Sequence, residues 1–167
     1  MSETVIGDLG PCEVWFDDTK VGVTFGDVLF KSEAQSVPVM EDGQGVTPVD
    51  DIVTGRIVTV EVPFTRATLA QLAVIIPENT QAADILRVDN PVAHSLAGDA
   101  AELVLKRIID GAVSTDDTEY LTIFSAAPIE TFEVPFNNST QRVFKVTFKA
   151  YPDTTSGNAG RLYSIGA

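Results

Sequence analysis

Two residue types that carry much of enzyme chemistry are nearly absent from this chain. Its 167 residues include one cysteine, Cys12, and one histidine, His94. A single cysteine excludes an internal disulfide and favours synthesis in a reducing compartment. A single histidine excludes clusters of histidine ligands and leaves one candidate general base. We interpret Cys12 as a small buried hydrophobe rather than as a nucleophile.

Positive charge is also scarce. The chain has 11 lysines and arginines against 24 aspartates and glutamates, a formal net charge of −13. Proteins bind nucleic-acid phosphates through Lys and Arg side chains that release counterions, so we do not expect this chain to bind DNA or RNA in that way. Two interpretations of the acidity stay open. It keeps the protein soluble by charge repulsion, or it forms a surface that lies near DNA without adhering to it.

Long apolar runs and targeting signals are missing as well. No uninterrupted apolar stretch is long enough to span a bilayer, and the first eight residues lack the basic segment and apolar region of a signal peptide. The sequence contains no Gly-x-Ser-x-Gly elbow and no Walker lysine pattern. We therefore expect no catalytic residues and no cofactor.

Acidic pairs are the remaining candidates for a metal site. They occur at Asp17-Asp18, Asp50-Asp51 and Asp116-Asp117, and none has the spacing of an EF-hand loop. Each pair lies where a turn is predicted, and Asp is favoured in turns for backbone reasons. A calcium site is the minor alternative, and we expect no metal.

The apolar pattern predicts a mainly β fold in a single domain over residues 1–167. Residues on one face alternate with polar ones, most clearly in Val58, Val60, Val62, Phe64 and in Phe144, Val146, Phe148, Ala150. The predicted strands are 12–16, 21–30, 56–64, 101–109, 119–127, 131–136 and 142–151. We expect two packed antiparallel sheets, as a β-sandwich or half-barrel, with one short flanking α-helix.

The helix is predicted between Thr65 and Pro77. Thr65 is a candidate N-cap, a stripe at helical spacing follows from Leu69 to Ile76, and Pro77 ends the helix. A second, weaker helix signal lies within residues 81–88.

Two polar segments frame the expected organisation. Residues 31–55 are rich in Gly, Pro, Asp and Ser and predict a long loop between strands, mobile in the isolated subunit and ordered by a neighbour. Residues 152–167 predict an extended C-terminal arm, mobile unless a partner holds it.

The order of these elements resembles that of the tail tube proteins of long-tailed bacteriophages. The similarity is closest in the segment Thr-Gly-Arg-Ile-Val-Thr-Val-Glu-Val followed by Thr-Leu-Ala-Gln-Leu-Ala, within residues 45–76. The closing strand Phe-Lys-Val-Thr-Phe-Lys-Ala-Tyr-Pro, within residues 142–152, also fits. The tube proteins of type VI secretion and related contractile devices share this architecture.

The resemblance implies a virion structural protein, made in the bacterial cytoplasm, that forms hexameric rings stacked into a hollow tube for DNA ejection. Its implied partners are further copies of itself, a tape measure protein inside the tube, tail terminator and baseplate proteins at its ends, and in some tails a sheath outside. DNA passes through without specific binding. Loops join successive rings, and the expected contact residues lie in the polar segment: Glu41, Asp42, Gly43, Gly45, Thr47, Pro48, Asp50 and Asp51.

The resemblance also implies an acidic lumen. The candidate lumen-facing carboxylates are Glu61, Asp116 and Asp117. Lys145 and Lys149 argue against a uniformly negative wall, because they leave the apolar face of their strand. They either pair with Glu61 on a neighbouring strand or lie at a junction between subunits.

Other functions stay open. The alternative assembly is the tube of a contractile injection or secretion device. Two further classes are a β-sandwich module that recognises a glycan or another virion protein, and a small enzyme, although the scarcity of histidine and cysteine argues against the common nucleophilic types. A glycan module would need an exposed aromatic platform, for which Trp15 is a candidate.

Overall fold

The computed structural model describes residues 10–131, 142–155 and 157–166. The strands, in chain order, are β1 (Cys12–Phe16), β2 (Thr19–Lys20), β3 (Val23–Thr24), β4 (Leu29–Met40), β5 (Pro48–Arg66), β6 (Asn79–Ala82), β7 (Ile85–Val88), β8 (Ala101–Ile109), β9 (Ala112–Val113), β10 (Leu121–Thr131), β11 (Phe144–Ala150) and β12 (Tyr163–Ile165). The α-helix found within the described ranges is α1 (Leu69–Ile75). The expected mainly β class is confirmed.

Ten of the strands form one antiparallel sheet. Its main path is β2–β1–β8–β10–β11–β5–β3, with β4 beside β5, β12 beside β10 and β9 beside β8. Strands β6 and β7 form a separate two-stranded sheet next to α1. The arrangement is therefore one large sheet and one small hairpin, rather than two sheets of similar size packed face to face.

The large sheet curls on itself, as a half-barrel does. Phe16 in β1 and Phe148 in β11 have ring centroids 5.3 Å apart, although β8 and β10 lie between their strands. Three strand spacings would separate them by about 14 Å in a flat sheet. Curling thus brings distant strands together around one apolar core.

That core has the period of two expected for a sheet with one covered face. Its fully buried members include Val58, Val60, Val62 and Phe64 from β5, together with Phe148. The predicted strands over 12–16, 56–64, 101–109 and 142–151 correspond to β1, the second half of β5, β8 and β11. Strand β10 extends to Thr131, so the rest of the strand predicted over 131–136 lies outside the described residues.

The first hairpin differs from the prediction of a second strand over 21–30. Asp17 and Asp18 both have positive φ, 49° and 56°, and connect β1 to the two-residue β2. Two such residues form the tight turn that suits the twist of a hairpin. Gly22 then turns the chain with φ 66°, and a Cβ there would lie 2.7 Å from the carbonyl oxygen of Arg66. That glycine marks a close backbone approach.

The helix begins three residues later than predicted, and Thr65 is not its cap. The Thr68 hydroxyl accepts a hydrogen bond from the Gln71 amide at 3.2 Å, and the Gln71 side chain accepts one from the Thr68 amide at 2.9 Å. This reciprocal capping box satisfies two amides that a helix start leaves open. Gln71 also donates to the carbonyl oxygen of Lys20 at 3.0 Å, which ties α1 to β2. Ile75 is buried in the core, whereas Leu69 is exposed.

The prediction of a long loop over residues 31–55 is wrong. Strand β4 pairs with β5 over almost its whole length, from Leu29 opposite Glu61 to Met40 opposite Pro48. These two strands form a hairpin, with the 3-10 turn Asp42–Gln44 at its tip. The polar composition is typical of a loop, and it occurs here in paired strands because this hairpin has no buried face.

Two smaller expectations are also wrong. The helix signal within residues 81–88 corresponds to the β6–β7 hairpin, in which Asn79 pairs with Val88. In the C-terminal arm expected over residues 152–167, Tyr163–Ile165 is extended as predicted, but it pairs antiparallel with Leu121–Ile123 of β10 and is therefore held by its own chain rather than mobile.

Candidate functional site

The most unusual surface of the molecule is the outer part of the β4–β5 hairpin, residues 33–57, which we call the arm. None of its residues is buried, and only Val39 is even partly covered. In the described residues, the pairing of β5 with β11 begins at Thr59. The part of β5 that precedes Thr59 pairs with β4 alone, so the arm is a two-stranded ribbon. Such a ribbon is marginally stable in water without a further packing partner. The arm therefore has few stabilising contacts beyond its own cross-strand pairs.

One side of the arm is apolar. Directly opposed residues of an antiparallel ladder share a face, and the register pairs Val37 with Ile52 and Glu33 with Ile57. Val37 is 54% exposed, Ile52 57% and Ile57 44%. A β-bulge between Gln35 and Ser36 leaves this alternation intact on β4. A stripe of aliphatic side chains thus faces solvent on the side of the sheet opposite the core.

The turn at the tip of the arm carries acid. The amide of Gln44 donates to the carbonyl oxygen of Glu41 at 3.0 Å, and Gly45 has φ 64°. Asp42 follows Glu41, and Val46 beside them is 92% exposed. The tip therefore presents an apolar side chain beside two exposed carboxylates.

The residues expected to contact neighbouring subunits all lie at this end of the molecule. Glu41, Asp42, Gly43, Gly45 and Thr47 belong to the turn, and all are exposed. Pro48, Asp50 and Asp51 begin β5 and are exposed as well. The structure brings this predicted set together, on a hairpin instead of a loop.

The three predicted lumen-facing carboxylates are not brought together. Glu61 is exposed on β5, beside Thr147 of β11, which itself lies beside Ile129 of β10. Asp116 and Asp117 lie just before Leu121, at the other end of β10. Eight residues of strand correspond to roughly 26 Å. The three carboxylates therefore do not form a single acidic patch on this chain.

Asp116 has a local structural role. Its Oδ1 atom accepts hydrogen bonds from the Thr118 hydroxyl at 2.6 Å and from the Thr118 amide at 3.0 Å. These two bonds lower the pKa of the Asp116 carboxyl below its usual value. The turn chemistry expected for this acidic pair is thus present.

The lysines are segregated on the outward face of the large sheet, the face opposite the core. The register places every lysine of the chain there: Lys20, Lys31, Lys106, Lys145 and Lys149. Glu13, Glu33, Glu61 and Glu102 share that face within the described ranges. The outward face is therefore close to neutral, and most carboxylates of the described residues lie on turns, loops and the arm.

Glu61 lies among three of these lysines. Thr59, next to it on β5, pairs with Lys149 on one side and Lys31 on the other, and Lys145 pairs with Pro63. Lys31 also forms an ion pair with Glu33 at 2.9 Å, and that bond raises the pKa of Lys31. If this face lined a DNA conduit, DNA would meet alternating charges instead of an acidic wall.

Trp15 does not offer an open aromatic platform. The Lys106 ammonium lies 4.2 Å from the centre of its ring, and its Nε1 donates to Glu13 at 3.2 Å. A cation over the ring occupies the face on which a sugar would stack. Among the described residues, Phe25 is the large aromatic that is mostly exposed, at 58%. This arrangement does not favour the glycan-binding alternative.

The two residues with catalytic potential have structural surroundings. Burial raises the pKa of the Cys12 thiol, which makes it less reactive. His94 contacts the carboxylates of Asp99 and Glu78 through its two ring nitrogens, and the Asp99 bond raises its pKa. No group of three or more His, Cys, Asp or Glu side chains within residues 10–131, 142–155 and 157–166 is placed to hold a metal ion.

A cavity of about 600 Å³ lies at the far end of β5 from the arm. Arg66 and Arg142 line it together with Val23 and Phe144. Val23 and Arg66 are paired between β3 and β5, which fixes the position of this wall. Sequence reasoning missed the cavity, because two arginines 76 residues apart give no local signal.

None of the helices in the described ranges is both long enough and apolar enough to cross a membrane. No protein-family model matches this sequence, and no curated protein matches it significantly.

Proposed function

We propose that this chain is a structural subunit that assembles into hexameric rings stacked as the hollow tail tube of a long-tailed bacteriophage. The observation that carries the proposal is the arm. It projects as a two-stranded ribbon with an exposed aliphatic stripe, a surface that contact with a neighbouring subunit would stabilise. The resemblance of residues 45–76 and 142–152 to tail tube proteins supports the same function.

A second feature supports assembly. Within the described part of the chain, β4 pairs only with β5, so the other backbone edge of Leu29–Met40 is open. An open edge of this length is a template for pairing with another chain. Pro38 and the charged side chains of Lys31 and Glu33 limit indiscriminate pairing along it. The backbone edge of β4 can therefore pair with another strand, but only with one that accommodates its proline and charged side chains. An adjacent copy in a ring would be such a partner.

The proposed partners follow from the proposed tube. A tape measure protein would occupy the lumen, tail terminator and baseplate proteins would cover the ends, and a sheath would surround the tube in a contractile tail. DNA would pass through without specific binding. A contractile injection or secretion device would use the same subunit architecture, and its tube is the alternative assembly.

The charge pattern limits which surfaces of the chain can line the proposed lumen. Repulsion of DNA requires carboxylates to dominate the wall, and the outward sheet face alone does not provide them. Carboxylates of the arm and of the turns would have to lie at the axis. A ring structure in which the wall is net positive would contradict the conduit role.

The arm provides the direct test of assembly. Ser36 and Val53 are a paired position, so a two-residue Asn-Gly turn can join them and remove residues 37–52. We expect this variant to fold as a monomer, with the fluorescence of Trp15 unchanged, and to form neither rings nor tubes in negative-stain microscopy and light scattering. The matched control replaces Ala83-Asp84, the β6–β7 turn, by Asn-Gly and should assemble normally.

Two results would contradict the proposal. One is a wild-type protein that stays monomeric at every salt and protein concentration tried. The other is an arm-deleted variant that still builds normal tubes, because the arm would then not be the connector.

A further inference from the structure

We propose that the acidic tip of the arm docks into the arginine-lined cavity of a second copy of this chain. The inference rests on the proposed tube, since it names the contact that would join successive subunits. Its occupant is the turn Glu41–Thr47, and its receptor is the cavity beside Arg66 and Arg142.

The first argument is position. The tip and the cavity lie at opposite ends of β5, a single strand of 19 residues. A strand of that length spans roughly 60 Å, so the arm cannot reach the cavity of its own chain. The same two surfaces can meet between copies. A contact between different surfaces on identical chains is head-to-tail, and it propagates as an open polymer or closes into a ring.

The second argument is charge. Glu41 and Asp42 are exposed, and neither has an ion pair within the described ranges. Arg66 is exposed at the cavity and forms no described hydrogen bond or ion pair through its guanidinium. Arginines are scarce in a chain of charge −13, so an exposed one beside a cavity fits a carboxylate from another copy.

The third argument is shape and polarity. Val46 at the tip is 92% exposed, and the cavity includes the apolar side chains of Val23 and Phe144. Its volume is about 600 Å³, and it is open to solvent on one side. Val46 and its two neighbouring carboxylates at the tip thus match the apolar side chains of the cavity and the arginine beside them. Interfaces commonly place apolar anchors at the centre and charged pairs around them.

A charge exchange tests the contact. Asp42→Arg at the tip or Arg66→Asp at the cavity should each lower the assembled fraction at least ten-fold at a fixed protein concentration, measured by sedimentation and negative-stain microscopy. The double variant D42R/R66D restores opposite charges at every junction, and it should return the assembled fraction to within about three-fold of wild type. Asp84→Arg and Arg87→Asp, on the exposed β6–β7 hairpin, are the matched controls and should assemble normally.

The outcomes separate this contact from the proposed function. If wild-type protein forms tubes and the two single variants assemble normally, the docking inference is wrong and the tube stands. If the double variant is as defective as the singles although all variants fold by circular dichroism, the pairing of these two surfaces is wrong. If the wild type never assembles, both fall. Milder variants, Asp42→Asn and Arg66→Gln, give intermediate losses if the contact is electrostatic.

Discussion

Two valines seven residues apart on the same strand should respond very differently to the same substitution. Val60 is 0% exposed and Val53 is 62% exposed, although both belong to β5. Replacing Val60 by alanine removes two buried methyl groups, which costs about 1.6 kcal/mol in transfer free energy. The cavity left behind brings the total loss of unfolding free energy to about 2–3 kcal/mol. The same change at Val53 should alter the stability of the monomer by less than about 0.5 kcal/mol.

The difference is large enough for a thermal measurement. For 167 residues, the unfolding entropy is about 0.35 kcal/mol/K, so Val60→Ala should lower Tm by about 6–9 °C and Val53→Ala by about 1 °C. Urea unfolding followed by the fluorescence of Trp15 gives the free energies directly. The measurement is made at low protein concentration, because any self-association would stabilise the folded state by mass action.

Two outcomes would refute the reasoning. Equal losses for the two variants in the monomer would mean that the arm packs against the same chain and is not a free ribbon. A loss below about 1 kcal/mol for Val60→Ala would mean that β5 does not run through the core. If the proposed assembly is correct, Val53→Ala acquires a cost only at concentrations where tubes form.

Three further perturbations follow from local geometry. Ala83→Gly should stabilise the chain by about 0.5–1 kcal/mol, because Ala83 has φ 51°, whereas Ala82→Gly in strand β6 should destabilise it; thermal unfolding distinguishes them. Thr68→Ala removes the capping-box hydroxyl and should lower the free energy of unfolding by about 1 kcal/mol, measured with urea. The pKa of His94 is raised by its bond to Asp99, so its stabilising effect is fully present below the ordinary histidine pKa and is lost as pH rises through the folded value. His94→Gln should therefore destabilise the protein in urea titrations at pH 5.5 and make a smaller difference at pH 8.5.

The core could be predicted from the sequence because its signal is local. Val58, Val60, Val62 and Phe64 alternate without interruption, and only a strand with one covered face places them all inside. The helix start was also readable. Thr68 has a glutamine three positions later, the spacing of a capping box, whereas Thr65 does not. Thr65 directly follows the apolar strand and resembles a cap by position alone, but it lacks the reciprocal partner.

The arm and the cavity could not be predicted in the same way. The arm has a polar, proline-containing composition that is typical of loops, as in Ser36, Pro38 and Asp51. It has no buried face, so its sequence lacks the alternating apolar pattern that would indicate paired strands. Which residue lies opposite which is set by the length of β5 beyond the core, a long-range property of the sheet. The meeting of Arg66 and Arg142 likewise depends on the pairing of β5 with β11, not on any local pattern.

Every lysine lies on the outward face of the sheet, so that face can be labelled selectively with an amine-reactive reagent. A reagent that acylates side-chain amines would modify the outward face and leave the arm and the cavity untouched, since their cations are arginines. The extent of labelling at Lys145 and Lys149 would then report whether that face is covered in any larger particle.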